Sequence, residues 1–267
     1  MKKVNSIFYR LIQFVTKNYS VTQKEKFIAG MLFFISKKDN AETKNKLRLL
    51  LYDERLKPYP VVGYQERLRY YGWFEMLSNL QKVEGDIVEA GTGYGNTLIT
   101  FLSANNYFNS SKKIYAFDSF EGFPIPHSND IGSKVQPNEK ILGWDDASPA
   151  LIEDSIVFHT AKNDLKLNAA SIIFRKGFFK DTMPQGLPEK ISLLHVDNDL
   201  YEGVLQVLHS SFKRLQPNAV VIFDEYHDEK WPGVKKAVDE FAEIFTLKIQ
   251  YFPSLLRFGF IKSAETT

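Results

Sequence analysis

The chain has 267 residues, no cysteine and a formal net charge of +2. This length suits one large α/β domain with an N-terminal extension, and the lack of a linker rich in proline or serine disfavours a two-domain division. Without cysteine there is no disulfide, no thiolate catalyst and no zinc–sulfur site, so a metal ion would need oxygen or imidazole ligands.

The first part of the chain is a basic arm. Residues 1–60 contain 13 of the 34 lysines and arginines and 5 of the 32 acidic residues, which gives the arm a net charge of +8 and the rest −6. Amphipathic helices are predicted over 5–18 and 41–56, and "PYPVVG" at 58–63 marks the predicted boundary with the main domain, 61–267. Such an arm suits an acidic membrane surface, a partner subunit or a phosphorylated substrate, but a solvated helical cap is the simpler interpretation.

Other partners and locations are disfavoured. Basic and aromatic residues do not interleave as they do in nucleic-acid-binding stripes. Arg10 and Gln13 interrupt the first apolar stretch and no small-residue cleavage site follows, so no signal peptide is expected. "FIAGMLFFI" is shorter than the ~20 apolar residues that cross a bilayer. We therefore expect a soluble, cytoplasmic protein.

Helices and strands alternate along the main domain. A helix is predicted at "YQERLRYYGWFEMLSNL", followed by strands at "DIVEAG", "KIYAFD", "SIIFRKG", "ISLLHVD" and "AVVIFDEY" and a closing pair at "TLKIQYFP" and "LLRFGFIKS". The intervening helices are "GNTLITFLSAN", one ending near residue 165, "YEGVLQVLHSSFKRL" and "PGVKKAVDEFAEIF". This pattern predicts a mostly parallel sheet covered by helices on both faces, with ligands bound beyond the carboxyl ends of the strands.

The first strand ends in a glycine-rich turn, "VEAGTGYGN". After Glu89, the glycines Gly91, Gly93 and Gly95 let the backbone turn tightly and approach a ligand at the start of the next helix. The G-x-G-x-G spacing differs from the G-x-G-x-x-G of a dinucleotide-binding loop, which disfavours NAD.

The second strand ends at Asp118 in "IYAFDSFEG". An acid at this position can accept hydrogen bonds from both hydroxyls of a ribose. With the glycine loop it predicts an adenosine-bearing ligand, and a helix cap or turn residue is the alternative.

Four acidic residues follow the next two strands. Asp197 and Asp199 come after "LLHV", and Asp224 and Glu225 come after "VVIF". Adjacent parallel strands would bring these carboxylates together, where repulsion is costly unless a cation or protons neutralise it. Oxygen ligands with open positions favour Mg²⁺ over Ca²⁺ or Mn²⁺. The alternative is that individual acids cap the following helices.

Two histidines lie near these acids. His195 alternates with the apolar residues of its strand and is expected to be a buried, hydrogen-bonded residue rather than a catalyst. His227 follows "DEY" on the functional side of the sheet, where contact with substrate or metal stays open.

These motifs together resemble one known family. "GDIVEAGTGYGN", "YAFDSFEGFP", "GFFKDTMP", "LLHVDNDLYEG" and "VIFDEY" are similar, in order and spacing, to the macrocin O-methyltransferases, metal-dependent sugar methyltransferases that use S-adenosylmethionine. The match covers roughly residues 64–260. The resemblance implies a Rossmann-like class I methyltransferase fold, an α/β fold with a seven-stranded sheet whose last strand is antiparallel.

The resemblance also implies roles for individual residues. The cofactor residues would be Glu89, Gly91, Gly93, Gly95, Asp118 and Ser119, with Phe179 of "GFFKD" beside the adenine. Asp197, Asp224 and Glu225 fall on the metal ligands of the family. Asp199 and His227 are the candidates for accepting the proton or positioning the acceptor. The sequence departs from the family pattern at three places. Many members have Asp where this chain has Glu225, and Ser-Thr where it has Gly203-Val204. The glycine pattern after Glu89 also differs.

The resulting prediction is a Mg²⁺-dependent O-methyltransferase that acts on a hydroxyl of a sugar or glycosylated small molecule. A homo-oligomer is expected, and the loop 124–146 is long enough to act as a lid. A nucleotide-sugar or polyol oxidoreductase is the alternative enzyme, disfavoured by the glycine spacing. A non-catalytic cofactor-binding protein is the third possibility.

Overall fold

The structure is a computed structural model. It describes residues 64–264 except 133–134, 137–138, 140, 142, 144 and 164–166. The predicted arm, 1–60, and its two helices lie outside this part, so the boundary at residue 61 stays a prediction. Leu68–Thr267 belong to one compact unit, to which the following description applies. No helix in the described part combines the length and hydrophobicity needed to cross a bilayer.

Helices and strands alternate as predicted from the apolar periodicity. The elements are α1 (Tyr64–Asn79), β1 (Asp86–Ala90), α2 (Asn96–Tyr107), β2 (Ile114–Asp118), α3 (Pro149–Asn163), β3 (Ile172–Lys176), α4 (Phe179–Gly186), β4 (Ile191–Val196), α5 (Tyr201–Ser211), β5 (Leu215–Phe223), α6 (Pro232–Ile244), β6 (Gln250–Phe252) and β7 (Arg257–Ile261). Helix α4 is absent from the predicted elements. It is short and contains Pro184 and Gly186, which are poor helix formers, so its sequence resembles a loop.

The strands form one sheet in the order β3-β2-β1-β4-β5-β7-β6. Strands β1 to β5 pair in parallel, and β7 pairs antiparallel with β5. This confirms the predicted seven-stranded, mostly parallel sheet with an antiparallel last strand. Because β1 lies between β2 and β4, the chain crosses to opposite sides of the sheet there, and a crevice opens beyond the carboxyl ends.

Each face of the sheet is buried beneath helices. Alternation along β1 directs Val88 and Ala90 to one face and Ile87 to the other. The Val88 face is covered by α4, α5 and α6, and the Ile87 face by α1, α2 and α3. Glu89 and His195 lie on the Ile87 side by the same alternation and are buried there. Ionisable groups in a hydrophobic layer need partners, and these two lie against each other, with Asp224 on the other side of His195.

Candidate active site at the carboxyl ends of the strands

The glycine turn after β1 brings backbone against backbone. Gly91, Gly93 and Gly95 have φ angles of 95°, 50° and 81°, in the left-handed region that favours glycine. A Cβ on Gly91 would lie 1.7 Å from the carbonyl oxygen of Asp197. Gly95 directly precedes α2. The turn therefore seats the amino end of α2 beside the end of β4, as the sequence predicts for a ligand-binding turn.

Asp118 fixes this turn from the end of β2. Its Oδ2 accepts a hydrogen bond from the Gly93 N–H at 2.8 Å, and its Oδ1 accepts one from the Phe120 N–H at 2.8 Å. Each carboxylate oxygen has a second lone pair, so acceptor capacity remains for a ligand hydroxyl. Both interpretations of Asp118 from the sequence, a turn residue and a ligand contact, are compatible with this geometry.

The two other predicted cofactor residues near Asp118 differ in their surroundings. Ser119 is buried, and its hydroxyl donates to the Gly122 carbonyl at 2.7 Å and accepts from the Glu121 N–H at 3.1 Å, so it is used within the turn. Phe179 begins α4 and packs, partly buried, against the core that contains Phe117.

The four predicted acids come together beyond β4 and β5. Val196 pairs with Phe223 in these parallel strands, so Asp197 and Asp224 are the next residues of each. Oxygen atoms of Asp197, Asp199 and Glu225 all lie within 4.8 Å of one another. The same holds for one ligand atom each of His195, Asp197 and Asp224. Asp197 belongs to both groups and is the centre of the cluster.

Asp197 and Glu225 form the part of this cluster whose negative charge is not balanced. Burial raises the pKa of Asp197 well above its usual range, and the charge of Asp224 adds to the shift. Burial likewise raises the pKa of Glu225, with Asp197 contributing. Glu225 Oε2 is buried and has no hydrogen-bond partner among the described residues. An all-oxygen set of this kind fits a hard divalent cation, which would supply the missing charge.

Asp224 differs from its neighbours because Arg257 bonds to it and the His195 ring lies nearby. Burial alone would raise its pKa, but His195 and Arg257 hold it well below the usual range. Arg257 donates from Nε to Asp224 Oδ1, and from Nη2 to Oδ2 at 2.9 Å. Arg257 was not singled out by the sequence, since no short motif connects positions 33 residues apart. Its only sequence signal is an arginine at the start of the last strand.

His195 is buried between two acids, in agreement with the sequence prediction. Its Nδ1 lies 3.3 Å from Glu89 Oε1, and its Nε2 lies 3.9 Å from Asp224 Oδ1. The ring also packs edge-on against Trp73. Burial lowers the pKa of His195, but Asp224 and Glu89 outweigh this and raise it to about 10. Its position between Glu89 and Asp224 lets His195 support the orientation of Asp224.

Glu89, a predicted cofactor residue, has its carboxylate against His195 instead of in the open crevice. The side chain is buried, and burial raises its pKa although His195 opposes the shift. His227 is exposed and contacts the Phe258 ring edge-on, with centroids 4.2 Å apart. The metal-ligand groups formed by the described residues include His195 and do not include His227.

The predicted lid, 124–146, is attached near both ends. Asp130 is buried and accepts hydrogen bonds from the Tyr201 N–H at 2.7 Å and the His127 N–H at 2.8 Å, so it caps the start of α5. At the other end, the Tyr94 hydroxyl of the glycine turn donates to Asp146. The stretch around Asp130 is thus hydrogen-bonded to the start of α5, and the role of 124–146 as a lid stays a prediction.

Comparison with known proteins places the chain in a family of methyltransferases. The sequence model of the family described as Macrocin-O-methyltransferase (TylF) matches residues 22–250. The chain is 26% identical over 167 residues to mycinamicin III 3''-O-methyltransferase of Micromonospora griseorubida, covering 60% of this chain and 61% of that protein. It is 26% identical over 168 residues to demethyldecarbamoylnovobiocin O-methyltransferase of Streptomyces niveus, covering 62% and 61%. The chain thus spans less than two thirds of these relatives.

Two solved structures share the fold. The calicheamicin methyltransferase CalS11 superposes with a TM-score of 0.63 at 20% identity, over 90% of this chain and 93% of that one. The O-methyltransferase NovP superposes with a TM-score of 0.57 at 22% identity, over 76% and 82%. The chain therefore has the class I methyltransferase fold.

Proposed function

The chain belongs to the macrocin-O-methyltransferase family, and on that premise we propose that it transfers a methyl group from S-adenosylmethionine to a hydroxyl of a sugar or glycosylated small molecule. We further propose that the reaction requires a divalent cation, Mg²⁺ by preference. The observation that carries the proposal is the cluster around Asp197, placed directly against the glycine turn at Gly91. Acid cluster and cofactor turn thus share one crevice.

The donor would lie along the ends of β1 and β2. The left-handed turn from Gly91 to Gly95 exposes backbone to the methionine part, and the Asp118 carboxylate has lone pairs for the ribose hydroxyls. Phe179, at the start of α4, would contact the adenine. Glu89 would support the site indirectly, because its carboxylate contacts His195 and not the crevice.

Asp197, Asp224 and Glu225 would hold the cation. When bound, the cation would orient neighbouring hydroxyls of the acceptor and make them easier to deprotonate. Burial raises the pKa of both Asp197 and Glu225, so the chain itself leaves two acids whose charge a cation would balance. Holding both reactants in one geometry can lower the barrier by several kcal/mol, on the order of 7–11 in well-oriented systems.

Methyl transfer is a displacement that the residues of the site can complete. The acceptor oxygen forms a bond to the methyl carbon while the carbon–sulfur bond breaks and its electron pair stays on sulfur. The hydroxyl proton moves to a carboxylate, for which Asp199 is the stronger candidate because it lies in the acid cluster. Asp199 adopts a φ angle of 65°, which directs the chain from β4 into α5. His227, exposed beside Phe258, is better suited to contacting the acceptor.

Two assays test the proposed function. Calorimetric titration should detect S-adenosylhomocysteine binding and no binding of NAD(P), and the opposite result would favour an oxidoreductase. Incubation with labelled S-adenosylmethionine, Mg²⁺ and a fractionated extract should label a sugar-containing small molecule. Cofactor binding without labelling of any fraction would favour the non-catalytic alternative, and labelled nucleic acid or protein would reject the acceptor class.

A further inference from the structure

The position of Arg257 follows from the pairing of the last strand. In the antiparallel pair of β5 and β7, Phe223 lies opposite Phe258. Antiparallel pairing places the residue after Phe223 opposite the residue before Phe258, so Asp224 faces Arg257. The strand that completes the sheet thus delivers a guanidinium to a carboxylate at the centre of the crevice.

The contact between Arg257 and Asp224 has a fixed geometry. Nε and Nη2 donate to the two different carboxylate oxygens of Asp224, the arrangement that a planar guanidinium fork allows. The remaining Nη1 donates to the Leu256 carbonyl at 3.2 Å, which restrains the guanidinium from behind. Both side chains are mostly buried, with 22% of Arg257 and 17% of Asp224 exposed. Screening by solvent is therefore reduced.

We propose that Arg257 is a positioning residue for the metal site, an inference that rests on the proposed function. It holds the Asp224 carboxylate in one orientation, because the guanidinium fork contacts both of its oxygens. It also offsets the charge of Asp224, so that Asp197 and Glu225 remain the acids in need of a cation. Partners of this kind orient metal-binding carboxylates and typically contribute about 10–100-fold in metal affinity.

A purely structural role makes a different prediction. If Arg257 only fastened β7 to β5, its loss would lower the free energy of unfolding without a selective effect on metal binding. The informative measurement is therefore metal affinity relative to cofactor affinity in the same folded variant. Arg214, which directly precedes β5, provides a matched control. Its guanidinium donates to the carbonyls of Leu187 and Pro188, away from the acid cluster.

The test uses calorimetric titration of Mn²⁺ and of S-adenosylhomocysteine into the full chain and its variants. Arg257→Gln should weaken Mn²⁺ binding by about 10–100-fold and change the affinity for S-adenosylhomocysteine by less than about threefold. Arg257→Lys should fall between wild type and Arg257→Gln, because an ammonium cannot form the fork. Arg214→Gln should bind Mn²⁺ like wild type.

Unchanged or tighter Mn²⁺ binding by Arg257→Gln, with cofactor binding retained, would overturn the positioning role. If Arg257→Gln does not fold, wild-type Mn²⁺ affinity in folded Arg257→Lys would overturn it equally. Failure of the proposed metal requirement has another signature, since wild type itself would then bind no Mn²⁺. In that case the positioning role is rejected together with the metal site.

Discussion

Asp197 connects the two halves of the crevice through different parts of one residue. Its backbone carbonyl lies against Gly91 of the glycine turn proposed to bind the cofactor, and its carboxylate belongs to both groups of potential ligand atoms. Substitutions that alter only the side chain should therefore separate metal-dependent chemistry from cofactor binding.

The substitution Asp197→Asn tests this separation. It preserves the size of the side chain but removes the charge that a cation requires, so methyl transfer should fall by about 100-fold or more. The affinity for S-adenosylhomocysteine should stay within a fewfold of wild type, since the carbonyl beside Gly91 is unchanged. Parallel rate and titration measurements check both values, and an equal loss of affinity and rate would contradict the separation.

Gly91 tests the close approach of the turn. Gly91→Ala places a Cβ 1.7 Å from the Asp197 carbonyl at a φ of +95°, so both contact and conformation are unfavourable. Gly143→Ala is the matched control, with a φ of +116° and no atom within 4 Å of its Cβ. We expect the control to lose ~1–2 kcal/mol of unfolding free energy and Gly91→Ala clearly more. Equal losses in urea denaturation would mean that the backbone relaxes around the contact.

His195 should make the stability of the metal-free protein depend on pH. Its pKa of about 10 lies above the 6.5 of an ordinary histidine, so between these values the folded protein holds a proton that the unfolded chain lacks. Its contribution to stability is therefore complete below about pH 6.5 and is lost as the pH rises through 10. With a chelator present, one histidine NMR signal, identified by its absence in His195→Gln, should titrate near pH 10. Titration of that signal near pH 6.5 would contradict the buried ion pairs.

At the scale of elements, α5 depends on a cap from a distant loop. Asp130 is 71 residues from Tyr201 in sequence but accepts its N–H at the first position of the helix. Gly233 of α6 packs against the same carboxylate, with a Cβ there lying only 1.9 Å from Asp130 Oδ1. The cap thus joins the long loop to α5 and α6, next to the turn that carries Asp199.

Removal of this cap should reduce stability. Asp130→Ala leaves the Tyr201 and His127 N–H groups without their acceptor, which should lower the free energy of unfolding by about 1–3 kcal/mol. Asp154→Ala, which removes an exposed acid from α3, should change it by less than about 0.5 kcal/mol. Denaturant titrations of the two variants provide the comparison, and equal stability would show that Asp130 is not an effective cap.

The elements were predictable where periodicity and burial act together. Helix α6 has an apolar stripe through Val234, Val238 and Phe241 at helical spacing, and all three residues are buried. Helix α4 was not predictable, because Pro184 and Gly186 have low helix propensity and the helix is stabilised by the tertiary packing of Met183. The cap at Asp130 was not predictable either, because it depends on a contact between residues far apart in sequence.

At the scale of the whole molecule, parallel topology explains why four acids could be located from sequence. The carboxyl ends of β4 and β5 meet at one edge, so residues that follow each strand must be neighbours. The pairing of β7 with β5 carries no comparable signal, because its register depends on packing of the closed sheet. Sequence therefore indicates the proposed ligands Asp197 and Asp224, and only the structure reveals that Arg257 contacts Asp224.

The proposed function requires that methyl transfer depend on a divalent cation. Wild-type protein is freed of divalent ions with a chelator, and the rate of transfer from labelled S-adenosylmethionine to the identified sugar-containing acceptor is measured as Mg²⁺ is restored. We predict a rate near background without the ion and a saturable recovery on its addition, with S-adenosylhomocysteine binding unchanged throughout. A full rate in excess chelator would contradict the account.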